Sequence, residues 1–371
     1  MHFIENLSIE GFRGLSDLRI EGLGRVNLIT GKNNSGKSSL LEAIRVLASA
    51  GSLQTLREIL DYREELNGFD SDVSMGRLEL SAFSTLFQGC PDLSSSPVSL
   101  SISAEGEISS VSSKIRIATG WFVRKFGLDQ RTITYEPAQS DFFGDEEVIP
   151  ALEITIGGRI RVVPFERFLR MTPYRIDSEA TKLPVVYLDP FSSRSTSQLG
   201  VLWDAIALTD SEKEIVSALR MISPDIEAVS MIGSEGRVRP GRTAIAKGSG
   251  FSVPVPLRTF GDGVNRLFGI ILSLCSARNG VLLVDELENG LHYSVQVAVW
   301  ETIFRLSKKL NVQVFATSHS WDCVKSFQEA AVKSEQDGVL LRLTKKEGRV
   351  MSTIFSEEDL VIVSRDQIEV R

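Results

Sequence analysis

The stretch Gly31-Lys32-Asn33-Asn34-Ser35-Gly36-Lys37-Ser38 has the spacing GxxxxGK[ST]. An apolar run, Val26-Asn27-Leu28-Ile29-Thr30, leads into it, and Leu40, Leu41, Ile44 and Leu47 recur behind it at helical spacing. Strand, glycine loop, helix is the order in which this spacing has chemical meaning. The glycines let the loop curl so that backbone N–H groups point inward, and with the positive end of the helix those donors hold phosphate oxygens. The expected phosphate-binding set is Gly31, Asn33, Asn34, Ser35, Gly36, Lys37, Ser38 and Ser39. Lys37 would bridge the β- and γ-phosphates, and Ser38 would offer its hydroxyl to Mg²⁺.

Upstream, Phe3-Ile4, Leu7-Ile9, Phe12 and Leu18-Ile20 read as two antiparallel strands. Far downstream, an apolar helix from Leu267 to Leu274 precedes Val281-Leu282-Leu283-Val284, a short continuous run of the kind a buried parallel strand makes. Asp285 and Glu286 close that run, which puts two carboxylates at the carboxyl end of a sheet strand, where open α/β sheets bind ligands. Asp285 takes the Walker B role of holding the magnesium shell, and Glu286 orients or deprotonates the attacking water. A solvated acidic turn is the plainer alternative. A helix through Val299, Ile303, Leu306 and Leu310 follows, and then a second buried strand, Val312 to Thr317, ends at Ser318-His319. His319 is expected on the same sheet edge as the acids, within reach of a γ-phosphate. A hairpin from Gly338-Leu343 and Arg349-Ile354 closes one edge.

Between these parts the texture changes. Val98, Leu100 and Ile102 alternate with Ser99, Ser101 and Ser103, and Leu152, Ile154 and Ile156 do likewise before Gly157-Gly158, a pair suited to a two-residue hairpin. Thr209-Asp210-Ser211-Glu212 looks like a capping box opening a helix with Ile215, Val216, Leu219 and Ile222 on its apolar side. The division expected is 1–51 (head with glycine loop), 52–184 (β-rich insert), 185–250 (helical connection) and 251–371 (second part of the head).

Composition sets outer bounds. The 371 residues are 42% hydrophobic with a net charge of -7, which fits a soluble globular chain and argues weakly against a protein coated in nucleic acid. Cys90, Cys275 and Cys323 lack metal or disulfide spacing and are expected as buried thiols, and three histidines are too scattered for a metal cage. No long apolar span or signal-peptide core is visible, so a cytoplasmic location without membrane partners is expected.

Phe260-Gly261-Asp262-Gly263-Val264-Asn265-Arg266 lies just before the apolar helix, and two glycines at a helix N-terminus make a second anion-binding device. The whole order, from glycine loop to insert, glycine turn, Asp-Glu, strand and His, resembles the ABC-type ATPase head of the SMC/RecF-like branch. Leu7 to Leu15 looks like the entry strand of those heads. More narrowly, GDGxNR, LLVDExExGLH (Leu282 to His292) and FATSHS (Phe315 to Ser320) resemble stand-alone overcoming-lysogenization-defect-like ATPases. The resemblance covers residues 1–50 and 255–371.

It implies an α/β P-loop NTPase fold with ATP and Mg²⁺ as cofactors. It also implies a homodimer or higher oligomer in which Gly261, Asp262 and Gly263 of one copy complete the ATP site of the other, with Asn289 to His292 as the loop between them. Catalysis would rest on Lys37, Glu286 and His319. Gly261 stands where the family's serine usually does, and Val264 where its glutamine does, which makes slow hydrolysis the expectation. Gln88 is the candidate for the family's glutamine loop, and Arg13 would either reach a phosphate or cap the sheet. Only 52 residues follow His319, without the acidic set of a two-metal nuclease, and the insert lacks heptads, so neither a nuclease nor a coiled-coil arm is expected. Two readings follow. One is an ATP-driven switch for a separate effector, a nuclease or toxin, in anti-phage defence. The other is a RecF-like clamp on DNA, for which Arg116, Arg124, Lys125, Arg159, Arg161, Arg167 and Arg170 would supply charge unless they form a solvated face beside Glu146, Glu147, Glu153 and Glu166. A nucleotide-dependent scaffold is a plainer third.

Overall fold

A computed structural model describes residues 2–66, 82–93, 97–108, 114–126, 133–138, 148–165, 183–190, 196–233, 242–334, 338–355 and 359. Strands β1 (Asn6–Phe12), β2 (Leu15–Glu21) and β3 (Val26–Thr30) precede helices α1 (Lys37–Ala48) and α2 (Leu53–Tyr62). Next come β4 (Ser99–Glu105), β5 (Lys114–Phe126), β6 (Ile133–Pro137), β7 (Val148–Ile156) and β8 (Arg159–Pro164). Then follow β9 (Val185–Leu188), α3 (Thr196–Ile206), α4 (Asp210–Ile222), β10 (Ile226–Gly233), β11 (Arg242–Gly248) and β12 (Val255–Pro256). A short 3-10 turn, Leu257–Phe260, leads into α5 (Asp262–Ser276), β13 (Gly280–Val284), α6 (Tyr293–Leu310), β14 (Val312–Thr317), α7 (Trp321–Ser334), β15 (Gly338–Lys346) and β16 (Arg349–Phe355).

The continuous apolar runs become the middle of one sheet, in the order β16-β15-β3-β14-β13-β9, with β15 through β9 parallel and β16 antiparallel at the edge. Residues alternate between its two faces. Val26, Leu28, Leu282, Val284, Val314 and Ala316 face helices α3 to α7, where Trp203, Leu219, Phe268, Trp300 and Phe327 pack. Ile29, Val281, Leu283, Phe315 and Leu341 face the other way, toward α1. Each such side chain, removed fully from water, contributes about 1.5–3 kcal/mol, and this is why strands buried on both sides carry no polar alternation.

Helix α1 is covered on both sides, because a second, antiparallel sheet lies beyond it in the order β2-β1-β4-β5-β7-β8, with β6 beside β5. Its inner face is the alternating set Leu7, Ile9, Leu100, Ile102, Ile115, Ile117, Leu152 and Ile154. Two expectations change here. The strands of 99–164 pair directly with β1, Ile9 opposite Ile102, so the boundary at residue 51 runs through a single sheet. The 185–250 segment holds α3 and α4 and also β9 and the antiparallel pair β10–β11. Gly157 and Gly158 take φ of +53° and +80°, the two left-handed positions of the tight turn between β7 and β8. Thr209 caps α4 as expected, accepting from the Ser211 N–H, while the Glu212 carboxylate reaches back to the Leu208 N–H.

Cys275 and Cys323 are buried, but Cys90 is exposed. Its φ of +48° places it in a surface turn beyond Phe87, which bridges to Phe12. Arg13 also differs from one of its two expected roles. Its guanidinium is buried against Glu42 at 2.6 Å and Glu65 at 2.8 Å, and Glu42 in turn holds Arg63. It ties the β1–β2 turn to α1 and to the turn that follows α2, and is committed there. Among the described residues, no helix is long and apolar enough to cross a membrane.

Candidate functional site

Three parallel strands, β3, β14 and β13, end side by side, and the loops that leave them carry the residues singled out by sequence. The loop after β3 is shaped by backbone constraints. A Cβ at Gly31, whose φ is +145°, would stand 2.4 Å from the Leu343 carbonyl oxygen, so no other residue fits. Asn34 and Gly36 are left-handed at +61° and +94°, and Gly36 is the N-cap of α1 without any side-chain cap. The first turn of α1, Lys37 to Ser39, has no side-chain cap and carries no acid of its own, as a helix end that receives an anion requires. Asn33 and Asn34 are exposed, and Ser35 is buried beneath the loop. Lys37 curls inward, its ammonium donating to the Gly31 carbonyl at 2.7 Å and the Lys32 carbonyl at 3.1 Å. Burial presses its pKa below the usual lysine value, against the pull of Asp285, Glu286 and Glu288.

Asp285 is the centre of the arrangement. Its Oδ2 accepts from the Ser38 hydroxyl at 2.9 Å and lies 3.4 Å from the Tyr187 hydroxyl, while Oδ1 accepts from the Thr317 hydroxyl. Three hydroxyls from three elements thus converge on one buried carboxylate. Two hard oxygen ligands, Ser38 and Asp285, meet here, a set that suits Mg²⁺, which takes one or two protein oxygens and completes its octahedron with phosphate and water. Among the described residues no group of three or more His, Cys, Asp or Glu side chains gathers as a metal cage.

Glu286 follows in a left-handed turn, φ +48°, a conformation that costs a non-glycine residue about 1 kcal/mol. The turn is laced to the end of β14, since the Glu286 N–H donates to Thr317 Oγ1 at 2.8 Å and the Leu287 N–H to the Thr317 carbonyl at 3.1 Å. Asn289 holds the Glu286 carboxylate at 2.6 Å. From beneath, the buried guanidinium of Arg266 on α5 donates to the carbonyls of Asp189, Asp285 and Glu286 at 3.1–3.2 Å. His319 comes to the same edge as expected, with its ring next to Glu288.

Gly261 and Asp262 are exposed at the N-terminus of α5 and make no contact with the glycine loop of their own chain among the described hydrogen bonds and ion pairs. Gly261 has a φ of +110° that only glycine adopts readily, and a Cβ at Gly263 would lie 3.5 Å from the Gly290 carbonyl oxygen. The start of α5 and the loop 289–292 therefore lie against each other on one face.

Thr317, Arg266, Glu288 and Tyr187 belong to the site as much as the residues read from motifs. The sequence signal for Thr317 was only a hydroxyl at a strand end. Gln88, the candidate for a glutamine loop, is exposed near Gly11, and the side chain that reaches Asp285 from the neighbouring strand β9 is Tyr187. Of the basic residues in the 52–184 stretch, Arg116 pairs with Glu153 at 3.2 Å and Lys125 with Glu136, each across adjacent strands, as a solvated face does. Arg167, Arg170, Glu146, Glu147 and Glu166 lie outside the described residues.

Residues 26–322 match the family described as "AAA domain, putative AbiEii toxin, Type IV TA system". The chain belongs to that family. The match spans the glycine loop, the acidic strand end and His319 together. An "ATP/GTP phosphatase" of Helicobacter pylori is 23% identical over 339 residues, covering 87% of this chain and 86% of that protein. The "DNA replication and repair protein RecF" of Idiomarina loihiensis is 44% identical over 52 residues, which is 14% of this chain and 15% of RecF. Among solved structures, an SMC head bound to the C-winged helix domain of ScpA superimposes with a TM-score of 0.53 over 97% of this chain and 99% of that one, at 14% identity. This AAA-domain chain therefore has the P-loop NTPase fold of an SMC-type ATPase head.

Proposed function

We propose that this protein binds and slowly hydrolyses ATP, closes on a second copy of itself around the nucleotide, and so switches a separate effector such as a nuclease or toxin. The observation that carries the reading is the Ser38–Asp285 contact, 2.9 Å, with Lys37 and Glu286 beside it. The first turn of α1 receives the β- and γ-phosphates, and Lys37 exchanges its loop carbonyls for phosphate oxygens. Ser38 and Asp285 would hold Mg²⁺, and the chemistry it would supply there is neutralisation of charge on the phosphates. Glu286, held by Asn289 and by the lacing of its turn, orients the attacking water and accepts its proton. His319 donates to the γ-phosphate from the neighbouring strand end. The exposed Gly261–Asp262 helix start offers the facing copy a second set of N–H donors, and the missing serine hydroxyl there favours slow turnover.

The effector reading, a role in anti-phage defence and the narrower overcoming-lysogenization-defect-like assignment draw support from the motifs GDGxNR and LLVDExExGLH and from a family description that names a toxin of a type IV system. The RecF matches favour the second reading, a clamp on DNA, but the acid-paired Arg116 and Lys125 weaken it.

The test is ATP turnover of the purified protein with and without duplex DNA, alongside its mass in solution with ATP and with Glu286→Gln. Slow turnover indifferent to DNA, with an ATP-held dimer in the variant, supports the switch. Severalfold stimulation by DNA moves the reading to the clamp, and absence of nucleotide binding overturns both.

A further inference from the structure

The turn after β13 sets two side chains with alternate residues. Asn289 holds the carboxylate of Glu286, and Glu288, one position earlier, faces the loop after β14. Glu288 is 9% exposed. Its Oε1 accepts from the Ser318 hydroxyl at 2.8 Å and from the His319 N–H at 2.9 Å, and stands 3.3 Å from His319 Nδ1. Its Oε2 is buried without a hydrogen bond. The imidazole itself is about half exposed, at 53%, so the edge of the ring away from Glu288 is its accessible part.

Two of these three contacts would suffice to staple the loops together. The third acts on the ring. A carboxylate against one imidazole nitrogen fixes the ring's orientation and assigns the proton on that nitrogen, which leaves the other nitrogen with a defined direction. Glu288 also leads straight into Gly290, which packs against Gly263 at the start of α5. One buried carboxylate therefore touches the ring expected to meet the γ-phosphate and borders the face expected to meet a second copy.

We propose that Glu288 is a positioning residue for ATP hydrolysis: it aims His319 at the γ-phosphate and makes the site distinguish a triphosphate from a diphosphate. The inference rests on the ATPase reading above and deepens it. Lys37, Asp285 and Glu286 face the same edge, and none of them contacts the ring among the described interactions; the charge of Glu288 also acts on Lys37 at a distance, and Glu288→Asp, which keeps that charge, separates the two effects.

The experiment compares wild type with Glu288→Gln, His319→Ala, the double variant and Ser318→Ala. It reads kcat and KM for ATP, affinity for ADP and for a non-hydrolysable ATP analogue, and ¹⁵N signals of the imidazoles. The chain has only three histidines, so the His319 signals are assigned by their loss in His319→Ala. Glu288→Gln is expected to lower kcat about 10- to 100-fold with little change in KM, the range seen when a histidine loses its orienting carboxylate. The preference for the triphosphate should fall equally in Glu288→Gln and His319→Ala, and no further in the double variant. The His319 signals should shift in Glu288→Gln without nucleotide, while Ser318→Ala stays near wild type.

A Glu288→Gln protein that only melts earlier, with kcat, nucleotide preference and His319 signals unchanged, overturns the proposal. So does a loss that Glu288→Gln adds in full on top of His319→Ala. If Glu288→Gln does not fold, Glu288→Asp, which withdraws the carboxylate from the ring, is expected to move the same readouts in the same direction. A wild type that binds neither nucleotide sinks the ATPase reading and this proposal with it. A wild type that turns over ATP leaves the variants to decide this proposal alone.

Discussion

Ser38 Oγ donates to Asp285 Oδ2 at 2.9 Å, although 247 residues separate the two in the chain. The contact joins the helix that begins at the glycine loop to the end of the acidic strand, and it is the pair to which the metal role is assigned. Asp285→Asn keeps the size of the side chain and removes its charge. Turnover should then fall by about 100-fold or more, and the Mg²⁺ needed for half-maximal nucleotide binding should rise at least tenfold. A variant with an unchanged Mg²⁺ titration would remove Asp285 from that role.

Among the described residues Glu286 makes no bond to Ser38 or Lys37, and Asn289 holds its carboxylate. Its loss should therefore spare binding and strike hydrolysis. Glu286→Gln is expected to reduce kcat by about 10²- to 10⁴-fold while affinity for ATP stays within reach of wild type, as isothermal titration would measure.

The buried ion pairs of Arg13 make a stability prediction independent of any nucleotide. Arg13 and Glu42 side chains are each 7% exposed. Glu42→Ala leaves the Arg13 guanidinium buried with Glu65 as its one described carboxylate partner, and urea unfolding should show a loss of about 3–5 kcal/mol. Replacing both Arg13 and Glu42 with apolar residues of similar size should cost much less than the sum of the single changes.

Lys37 supplies a pH signature. Because burial lowers its pKa below 10.5, the unfolded chain binds a proton that the native chain has released between the lowered value and 10.5. Stability contributed at this position therefore rises with pH across that window. In Lys37→Met the alkaline rise should flatten, which thermal melts taken from neutral pH to pH 10 would reveal.

Thiol chemistry separates the cysteines. Burial pushes Cys275 up to about 11 and Cys323 up to about 12, whereas Cys90 sits in an exposed turn. An alkylating reagent at pH 8 should label one thiol in the native protein, identified by mass spectrometry as Cys90, and all three in denaturant.

The parts of the site legible in sequence are those whose signal is local. Val26 to Thr30, Val281 to Val284 and Val312 to Thr317 are buried on both faces, so each reads as a mainly apolar run, broken only by the buried Asn27 and Gln313, that stops where a polar residue must emerge. Gly31 and Gly36 were legible because the backbone there excludes side chains. Arg13 could not be placed, since its partners Glu42 and Glu65 lie 29 and 52 residues away and an arginine beside a turn looks solvated. The same holds for Arg266, whose acceptors are backbone carbonyls that carry no sequence identity. Glu288 read as one more acid in a loop. The pairing of β1 with β4, across some 90 residues, left no trace in either strand, and so the 99–164 region looked like an insert when its strands continue the sheet of β1 and β2. Cys90 misled because residue type alone favours burial.

Strand β3 lies between β14 and β15, with Leu28 level with Ala316 on one side and Leu340 on the other. The glycine loop that leaves β3 is thus propped by a part of the chain made long after the loop itself, and the Cβ that Gly31 cannot carry would strike a carbonyl of residue 343. A nascent chain emerging residue by residue holds the loop sequence well before it holds the strands that flank it. Nucleotide binding is for this reason acquired only once β14 and β15 have been made, and a chain stopped before residue 312 would carry the motif without the site.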